Sequence, residues 1–110
     1  MKKNLSLPTL AIDFDGVIHD HKNPIEGKRM GAPIQGAKEA LEYLGQHFML
    51  VIFTVRGNSP QHIEDWLNYY QIPFNEVTNI KPNAKYYIDD KGIRFTEWTS
   101  VLSFINEQGV

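Results

Sequence analysis

The sequence predicts one α/β domain in which helices cover both faces of a parallel β-sheet. Three segments carry apolar residues at the i, i+3, i+4 and i+7 spacing of an amphipathic helix, over residues 37–44, 63–70 and 98–105. Between them lie short apolar runs rich in β-branched and aromatic residues, which is typical of parallel strands buried on both faces. At 110 residues the chain has room for one hydrophobic core, so we expect residues 1–110 to form a single domain.

The strands are predicted from four such runs: TLAIDF (9–14), FMLVIFT (48–54), YYID (86–89) and the weaker IRF (93–95). A further candidate, NEVTN (75–79), is followed by only IKPNA (80–84) before the YYID region. A parallel crossover normally needs a dozen or more residues. Either the NEVTN strand is vestigial or the chain crosses there without a helix. The helix at 63–70 has a start signal, with Ser59 as N-cap and Pro60 at its first position.

Residues 16–33 form the least regular segment, with three glycines and two prolines. We expect a loop or flap at the carboxyl end of the first strand, too short for a cap domain, and connections of this length are usually functional. The run His19-Asp20-His21 within it is interpreted mainly as solvated loop, with a transition-metal site as the alternative. A third interpretation is contact with an anionic substrate, together with the basic residues Lys22, Lys28 and Arg29.

Composition and charge exclude several classes of protein. The formal net charge is −2, from 11 basic and 13 acidic residues, so no broad cationic surface for nucleic acid is expected. The absence of cysteine excludes disulfides, thiolate zinc sites and cysteine nucleophiles, and is compatible with the cytoplasm, where we expect the protein to be. The longest strongly apolar run, FMLVIFTV, is too short to span a bilayer, so we expect no membrane partner.

Pairs of carboxylates end two of the predicted strands. Asp13 and Asp15 close the first strand, where alternation along the chain directs both to a common side, and Asp89 and Asp90 close YYID. Ligands of open α/β sheets bind beyond the carboxyl ends of the strands. Two like charges about 4 Å apart repel by roughly 4 kcal/mol at an effective dielectric of 20. Such a cluster therefore needs protons or a cation.

The character of the ligands indicates which cation this would be. Hard oxygen ligands favour Mg²⁺, leave Ca²⁺ possible and disfavour zinc. The alternative is that these aspartates form turns and helix caps, as most Asp-Gly and Asp-Asp pairs do; two pairs at two strand ends favour the metal. Thr54 at the end of FMLVIFT and Lys81 before YYID are common residues in such places, but with Mg²⁺ and a further carboxylate they are the groups that phosphoryl transfer needs.

The order of these motifs resembles that of the haloacid dehalogenase superfamily of phosphohydrolases. DFDGV follows the first strand, a threonine ends a later one, and a lysine precedes YYIDD. The resemblance extends from Leu10 to about Trp98, and the length is similar to that of small members without a cap domain. It implies a three-layer, Rossmann-like sheet with the first strand central. The strand order 3-2-1-4-5 would bring Asp13 and Asp89 together on adjacent strands.

Carried over by position, the resemblance implies a Mg²⁺-dependent phosphatase. Asp13 would be the nucleophile that becomes an aspartyl-phosphate, and Asp15 the general acid that protonates the leaving oxygen and then activates water. Mg²⁺ would be bound by Asp13, the backbone carbonyl of Asp15 and Asp89, with Asp90 acting directly or through water.

The resemblance also implies how the substrate is held. Thr54 would bind the phosphoryl oxygens, and we expect Val55 and Arg56 beside it to contact the substrate. Lys81 would offset charge on the phosphate and on Asp13, with Lys85 as a rival for that role. The phosphorylated substrate is left open, with nucleic acid included only through phosphorylated ends.

Two other functions use a similar small α/β domain. A receiver-type phospho-acceptor also clusters Asp, Thr and Lys, but its adjacent acidic pair lies at the first strand and its lone acceptor at the third, the reverse of the order seen here. A binding module that kept the fold without activity is the other alternative. Because every residue that the chemistry needs is present, the sequence favours the enzyme.

Overall fold

The computed structural model of the protein describes residues 7–28, 30–54, 59–80, 82–89 and 93–107, with the backbone alone for residues 93 and 94. Its elements in chain order are β1 Thr9–Asp13, β2 His19–Pro24, β3 Gly31–Pro33, α1 Ala37–Leu44, β4 Met49–Phe53, α2 Pro60–Tyr69, β5 Glu76–Thr78, β6 Tyr86–Asp89, β7 Ile93–Arg94 and α3 Trp98–Glu107.

Five of the strands form a parallel sheet in the order β5-β4-β1-β6-β7. β1 is central, since Leu10 pairs with Leu50 of β4 on one side and with Tyr86 of β6 on the other. The strand numbers differ from the predicted 3-2-1-4-5 because two unpredicted strands, β2 and β3, precede β4 along the chain. Counted within this sheet alone, the strands lie in the order 3-2-1-4-5.

The helices pack on one face of this sheet. Buried side chains of all three join one hydrophobic cluster with alternate residues of the central strands, Leu10, Ile12, Leu50, Ile52 and Ile88. Ala11, Val51 and Phe53, which alternate with these residues, are buried but lie outside that cluster. The prediction of helices on both faces is therefore wrong for the part of the chain described.

The direction of the crossovers explains this one-sided arrangement. The steps from β1 to β4 and from β4 to β5 proceed toward the same edge of the sheet, and right-handed connections then place α1 and α2 on the same face. α3 joins them, since the Tyr43 hydroxyl on α1 donates to Asn106 Oδ1 on α3 at 3.0 Å.

The chain returns from β5 to β6 over residues 79–85, and the described residues of this connection contain no helix. β5 is a real strand, with Val77 paired to Ile52. The NEVTN strand is therefore not vestigial, and the chain crosses to β6 without a helix in the described part of this connection. On the face opposite the helices, the Tyr87 hydroxyl donates to the Pro82 carbonyl at 2.5 Å and accepts from the Ala84 N–H at 3.2 Å, which ties the returning segment to β6.

The segment expected to be an irregular loop contains a hairpin. β2 and β3 pair antiparallel, with His19 opposite Pro33 and Pro24 opposite Gly31 and a register irregularity between them. Gly31 permits this pairing, because a Cβ there would lie 2.1 Å from the carbonyl oxygen of Asp20 and 2.8 Å from that of Asn23. Residues 19–28 and 30–33 therefore belong to a structured element at the carboxyl end of β1.

The start of α2 is as predicted. Ser59 is extended, and its Oγ accepts from the backbone N–H of His62 at 3.3 Å, with Pro60 as the first helical residue. Among the described helices, none has the length and apolar character needed to cross a bilayer.

Candidate active site

Four residues form a row across the carboxyl end of the sheet, here called the strand-end row: Thr78, Phe53, Asp13 and Asp89. Asp13 pairs in register with Phe53, and Phe53 with Thr78. Asp89 follows the register pair Ile12–Ile88 by one residue, which places it beside Asp13. Neighbouring strands are about 4.8 Å apart, and residues at the same level project to the same face. The row therefore brings the Asp13 and Asp89 side chains together, on the face opposite the helices.

The residue directly after β4 and the last residue of β6 are shielded from solvent. Thr54 is 1% exposed, and its backbone N–H donates to the Thr78 carbonyl at 3.1 Å, which keeps it at the same edge as the strand-end row. Asp89 is 5% exposed, and its carbonyl accepts from the Phe95 N–H at 3.0 Å. A carboxylate buried to this degree is costly unless charge or hydrogen bonds compensate it.

A tight turn follows β1 and carries Asp15. The carbonyl of Phe14 accepts from the backbone N–H groups of Val17, Ile18 and His19, at 3.4, 2.9 and 3.0 Å. Gly16 has φ +81°, in the left-handed region where glycine is favoured, and its N–H donates to the His19 carbonyl at 2.9 Å. The turn therefore directs the chain from Asp13 through Asp15 into the hairpin.

The Asp15 side chain is fixed by His19. His19 Nδ1 lies 2.8 Å from Asp15 Oδ1, and the two side chains are 6% and 8% exposed. His19 Nε2 accepts from the Gly31 backbone N–H at 2.9 Å. The imidazole stacks on Phe14 at 5.0 Å between ring centroids and meets the edge of Trp66 at 5.4 Å. The prediction of a solvated His-Asp-His loop is therefore wrong for His19, which is buried beside the candidate acid.

Two tryptophans hold the segment that follows β1. These residues, Trp66 and Trp98, are both buried. In addition, Trp66 Nε1 of α2 donates to the Gly31 carbonyl and Trp98 Nε1 of α3 donates to the Val17 carbonyl, each at 3.1 Å. The sequence did not reveal these hydrogen bonds, because the acceptors are backbone atoms distant along the chain. They anchor the turn and the hairpin to the helical layer.

An open groove of about 840 Å³ runs between the hairpin and α2. Its lining combines apolar and aromatic side chains with a few polar ones: Ile25, Gly27, Lys28, Met30, Gly31, His62, Asp65, Trp66, Tyr69 and Tyr70. Gly31 and Trp66 belong both to this lining and to the contacts around His19, so the groove adjoins the Asp15–His19 pair.

Four predicted site residues, Val55, Arg56, Lys81 and Asp90, lie outside the described residues. Lys85, the alternative to Lys81, is described and lies at the amino end of the sheet, whereas the strand-end row lies at the carboxyl end. Its N–H donates to the Thr9 carbonyl at the start of β1, at 2.9 Å, and its Nζ lies 5.6 Å from the centre of the Tyr86 ring. Asp89 is four residues further along the chain, about 13 Å at 3.3 Å per residue. Lys85 therefore does not reach the strand-end row.

The fit of a magnesium ion rests on the oxygen ligands at this edge. Within the described ranges, no group of three or more His, Cys, Asp or Glu side chains is placed to hold a metal. The set of ligands implied by the resemblance does not require three such side chains among the described residues. It combines the carboxylates of Asp13 and Asp89 with the backbone carbonyl of Asp15, and its fourth member is Asp90. Two adjacent carboxylates on one face are hard oxygen ligands of the kind that Mg²⁺ prefers. The described residues therefore fit this ion.

Fold and site together define an α/β protein with a central β1 and a strand-end pair of carboxylates. Comparison with known proteins adds a structural relative. The structure is similar to that of a conserved protein coded by a locus of Bacteroides thetaiotaomicron, with a TM-score of 0.72 and 26% sequence identity over 93% of this chain and 92% of that one. No protein-family model matches the chain, and no curated protein matches it. The shared architecture extends over nearly all of both chains.

Proposed function

We propose that the protein is a Mg²⁺-dependent phosphohydrolase that cleaves phosphomonoesters through an aspartyl-phosphate on Asp13. The observation that carries the proposal is the strand-end row, in which Asp13 and Asp89 lie side by side on β1 and β6. Thr54, buried at the same edge, supports it. The proposal also rests on the resemblance of DFDGV and YYIDD to the haloacid dehalogenase motifs.

The chemistry divides between Asp13 and Asp15. An Asp13 carboxylate oxygen attacks phosphorus, the bond from phosphorus to the ester oxygen breaks, and Asp15 donates a proton to that oxygen. Asp15 then removes a proton from a water molecule, which attacks phosphorus, releases inorganic phosphate and restores Asp13. Asp15 lies two residues after Asp13, and the Gly16 turn leads its side chain to His19, which fixes it.

Charge stabilisation is the task of the other residues. Mg²⁺ bound by Asp13, Asp89 and the Asp15 carbonyl would neutralise negative charge on the phosphoryl oxygens. Asp90 would complete this set. Thr54 would donate its hydroxyl to a phosphoryl oxygen, with Val55 and Arg56 beside it, and Lys81 would offset charge on the phosphate. Because Lys85 lies at the amino end of the sheet, we assign this role to Lys81.

Steady-state hydrolysis of an aryl phosphate, assayed with Mg²⁺ and with excess chelator, tests the proposal. We expect many turnovers per protein with Mg²⁺ and none with chelator, and loss of turnover in Asp13→Asn. One phosphate transferred per chain without turnover would instead identify a receiver-like phospho-acceptor. Absence of both reactions across a panel of phosphorylated metabolites and oligonucleotides would identify a binding module.

A further inference from the structure

We propose that His19 is a positioning residue that holds the Asp15 carboxylate in place for proton transfer. This inference rests on the proposed function, because it assigns His19 a task in the reaction that Asp15 performs. It starts from the pair itself, with His19 Nδ1 2.8 Å from Asp15 Oδ1 and both side chains almost fully buried.

The hydrogen bonds of His19 determine where its proton lies. A backbone N–H only donates, so Nε2, which accepts from the Gly31 N–H at 2.9 Å, must present its lone pair. In the neutral imidazole the proton is then on Nδ1 and is donated to Asp15 Oδ1. The hairpin thus selects the tautomer that holds the acid.

The imidazole has little freedom to turn. Phe14 stacks on it with an angle of 14° between the rings, and Trp66 meets it edge-on. Gly31 is held in turn, since its carbonyl accepts from Trp66 Nε1 and the Asp20 carbonyl oxygen lies 2.1 Å from where a Cβ would be. The orientation of Asp15 is therefore set by a chain of contacts that runs from Trp66 on α2 through Gly31 on β3 and His19 on β2 to the turn after β1.

Proton transfer makes this orientation matter. A general acid must come within hydrogen-bond reach of the leaving oxygen, about 2.6–3.2 Å, and a displacement of about 1 Å in an active site can cost about 100-fold in rate. Without His19, Asp15 keeps its carboxyl group but loses the hydrogen bond from His19 Nδ1 that fixes its rotamer. We therefore expect kcat to fall, and most strongly for substrates whose leaving oxygen needs the proton.

Two amide variants separate positioning of Asp15 from support of the hairpin. In His19→Asn the side-chain nitrogen occupies nearly the place of Nδ1 and can donate to Asp15, but nothing reaches Gly31. In His19→Gln the longer amide occupies nearly the place of Nε2 and can accept from Gly31, but it leaves Asp15. Each variant keeps one of the two hydrogen bonds, so they are matched controls for each other.

The experiment measures kcat and KM for both variants and the wild type with Mg²⁺, on aryl phosphates whose leaving groups range from strongly to weakly acidic. We expect His19→Gln to lose about tenfold or more in kcat on the weakly acidic leaving groups and much less on the strongly acidic ones, with similar KM. His19→Asn, which keeps the hydrogen bond to Asp15, should lose markedly less kcat than His19→Gln on the weakly acidic leaving groups. Equal losses in the two variants, or a greater loss in His19→Asn, would overturn the inference and leave a role in the hairpin alone.

Failure of the proposed function has a different signature, since the wild type would then show no turnover on any ester, and the inference would fall with it. Imidazole ¹⁵N NMR of the wild type reports which nitrogen of His19 is protonated, so it tests the inference even if a variant does not fold. We expect a protonated Nδ1 whose proton resonance moves in Asp15→Ala, and an unprotonated Nε2. The opposite tautomer would overturn the inference.

Discussion

Asp89 lies beside Asp13 at the carboxyl end of the sheet, on the same face and one residue beyond the register pair Ile12–Ile88. Adjacent parallel strands are about 4.8 Å apart, so the two carboxylates are near neighbours. At about 4 Å, like charges repel by roughly 4 kcal/mol at an effective dielectric of 20, a large share of the roughly 5–15 kcal/mol that stabilises a domain. A cation shared by the two carboxylates would offset this repulsion.

Removal of one of these charges is expected to weaken magnesium binding. In Asp89→Asn a neutral amide replaces a charged ligand, and we predict that the Mg²⁺ concentration for half-maximal activity rises by about tenfold or more. We expect Mg²⁺ to raise the melting temperature of the wild type, and this rise should be smaller in Asp89→Asn. Asp65→Asn is the control, because Asp65 lies on α2 and its Oδ1 accepts from Gln61. Identical Mg²⁺ dependence in the wild type and Asp89→Asn would contradict the site.

Asp13→Asn is predicted to remove turnover without loss of folding. The amide cannot attack phosphorus as the carboxylate does, and relief of repulsion with Asp89 offsets the contacts that are lost. Phosphate release and the melting temperature without Mg²⁺ are the two measurements, with Asp20→Asn in the hairpin as a control of equal charge change. Normal turnover in Asp13→Asn would remove Asp13 from the role of nucleophile.

The turn after β1 is predicted to depend on the indole of Trp98. Trp98→Phe keeps an aromatic ring in the core but deprives the Val17 carbonyl of its hydrogen bond. We expect the free energy of unfolding in urea to fall by about 1–3 kcal/mol. Phe104→Leu, at a position 42% exposed on the same helix, should change it by less than about 0.5 kcal/mol. Equal stability of Trp98→Phe and the wild type would show that this hydrogen bond contributes nothing.

Gly31→Ala is predicted to damage both the hairpin and the activity. The added Cβ would lie 2.1 Å from the Asp20 carbonyl oxygen, so β2 and β3 must separate. This separation displaces the hydrogen bond that His19 Nε2 accepts from the Gly31 N–H. We expect a loss of about 1–3 kcal/mol in stability and a lower kcat. Gly27→Ala is the control, since its Cβ meets nothing within 4 Å, although its φ of +77° costs roughly 1–2 kcal/mol. Equal kcat in the two variants would contradict the link between hairpin and site.

Local patterns predicted much of the fold. The three helices follow apolar periodicity, and the N-cap Ser59 marks the start of α2. Four strands coincide with apolar runs, since parallel strands at the centre of a sheet need such residues. The adjacent placement of Asp13 and Asp89 was also predicted from sequence, because strand ends in this kind of sheet share one edge.

The hairpin and the position of Lys85 were not predicted, for a different reason. β2 has the sequence HDHKNP, which carries no apolar alternation, and only His19 in it is buried. The hairpin is stabilised by residues distant along the chain, such as Trp66, and these contacts cannot be predicted from the local sequence. Lys85 seemed equivalent to Lys81 along the chain, but its pairing with Thr9 places it at the amino end of the sheet.

Phosphorylation of Asp13 during the reaction can be observed in the variant Asp15→Asn. The variant keeps the nucleophile, and its amide oxygen can still accept from His19 Nδ1, but it lacks the base that activates water. Mixed with Mg²⁺ and an aryl phosphate whose leaving group needs little protonation, it should release a burst of phenol of about one per chain. Peptide mass spectrometry should then find one phosphoryl group on Asp13. Phosphate on any other residue, or a burst that persists in the double variant Asp13→Asn/Asp15→Asn, would show that Asp13 is not the nucleophile.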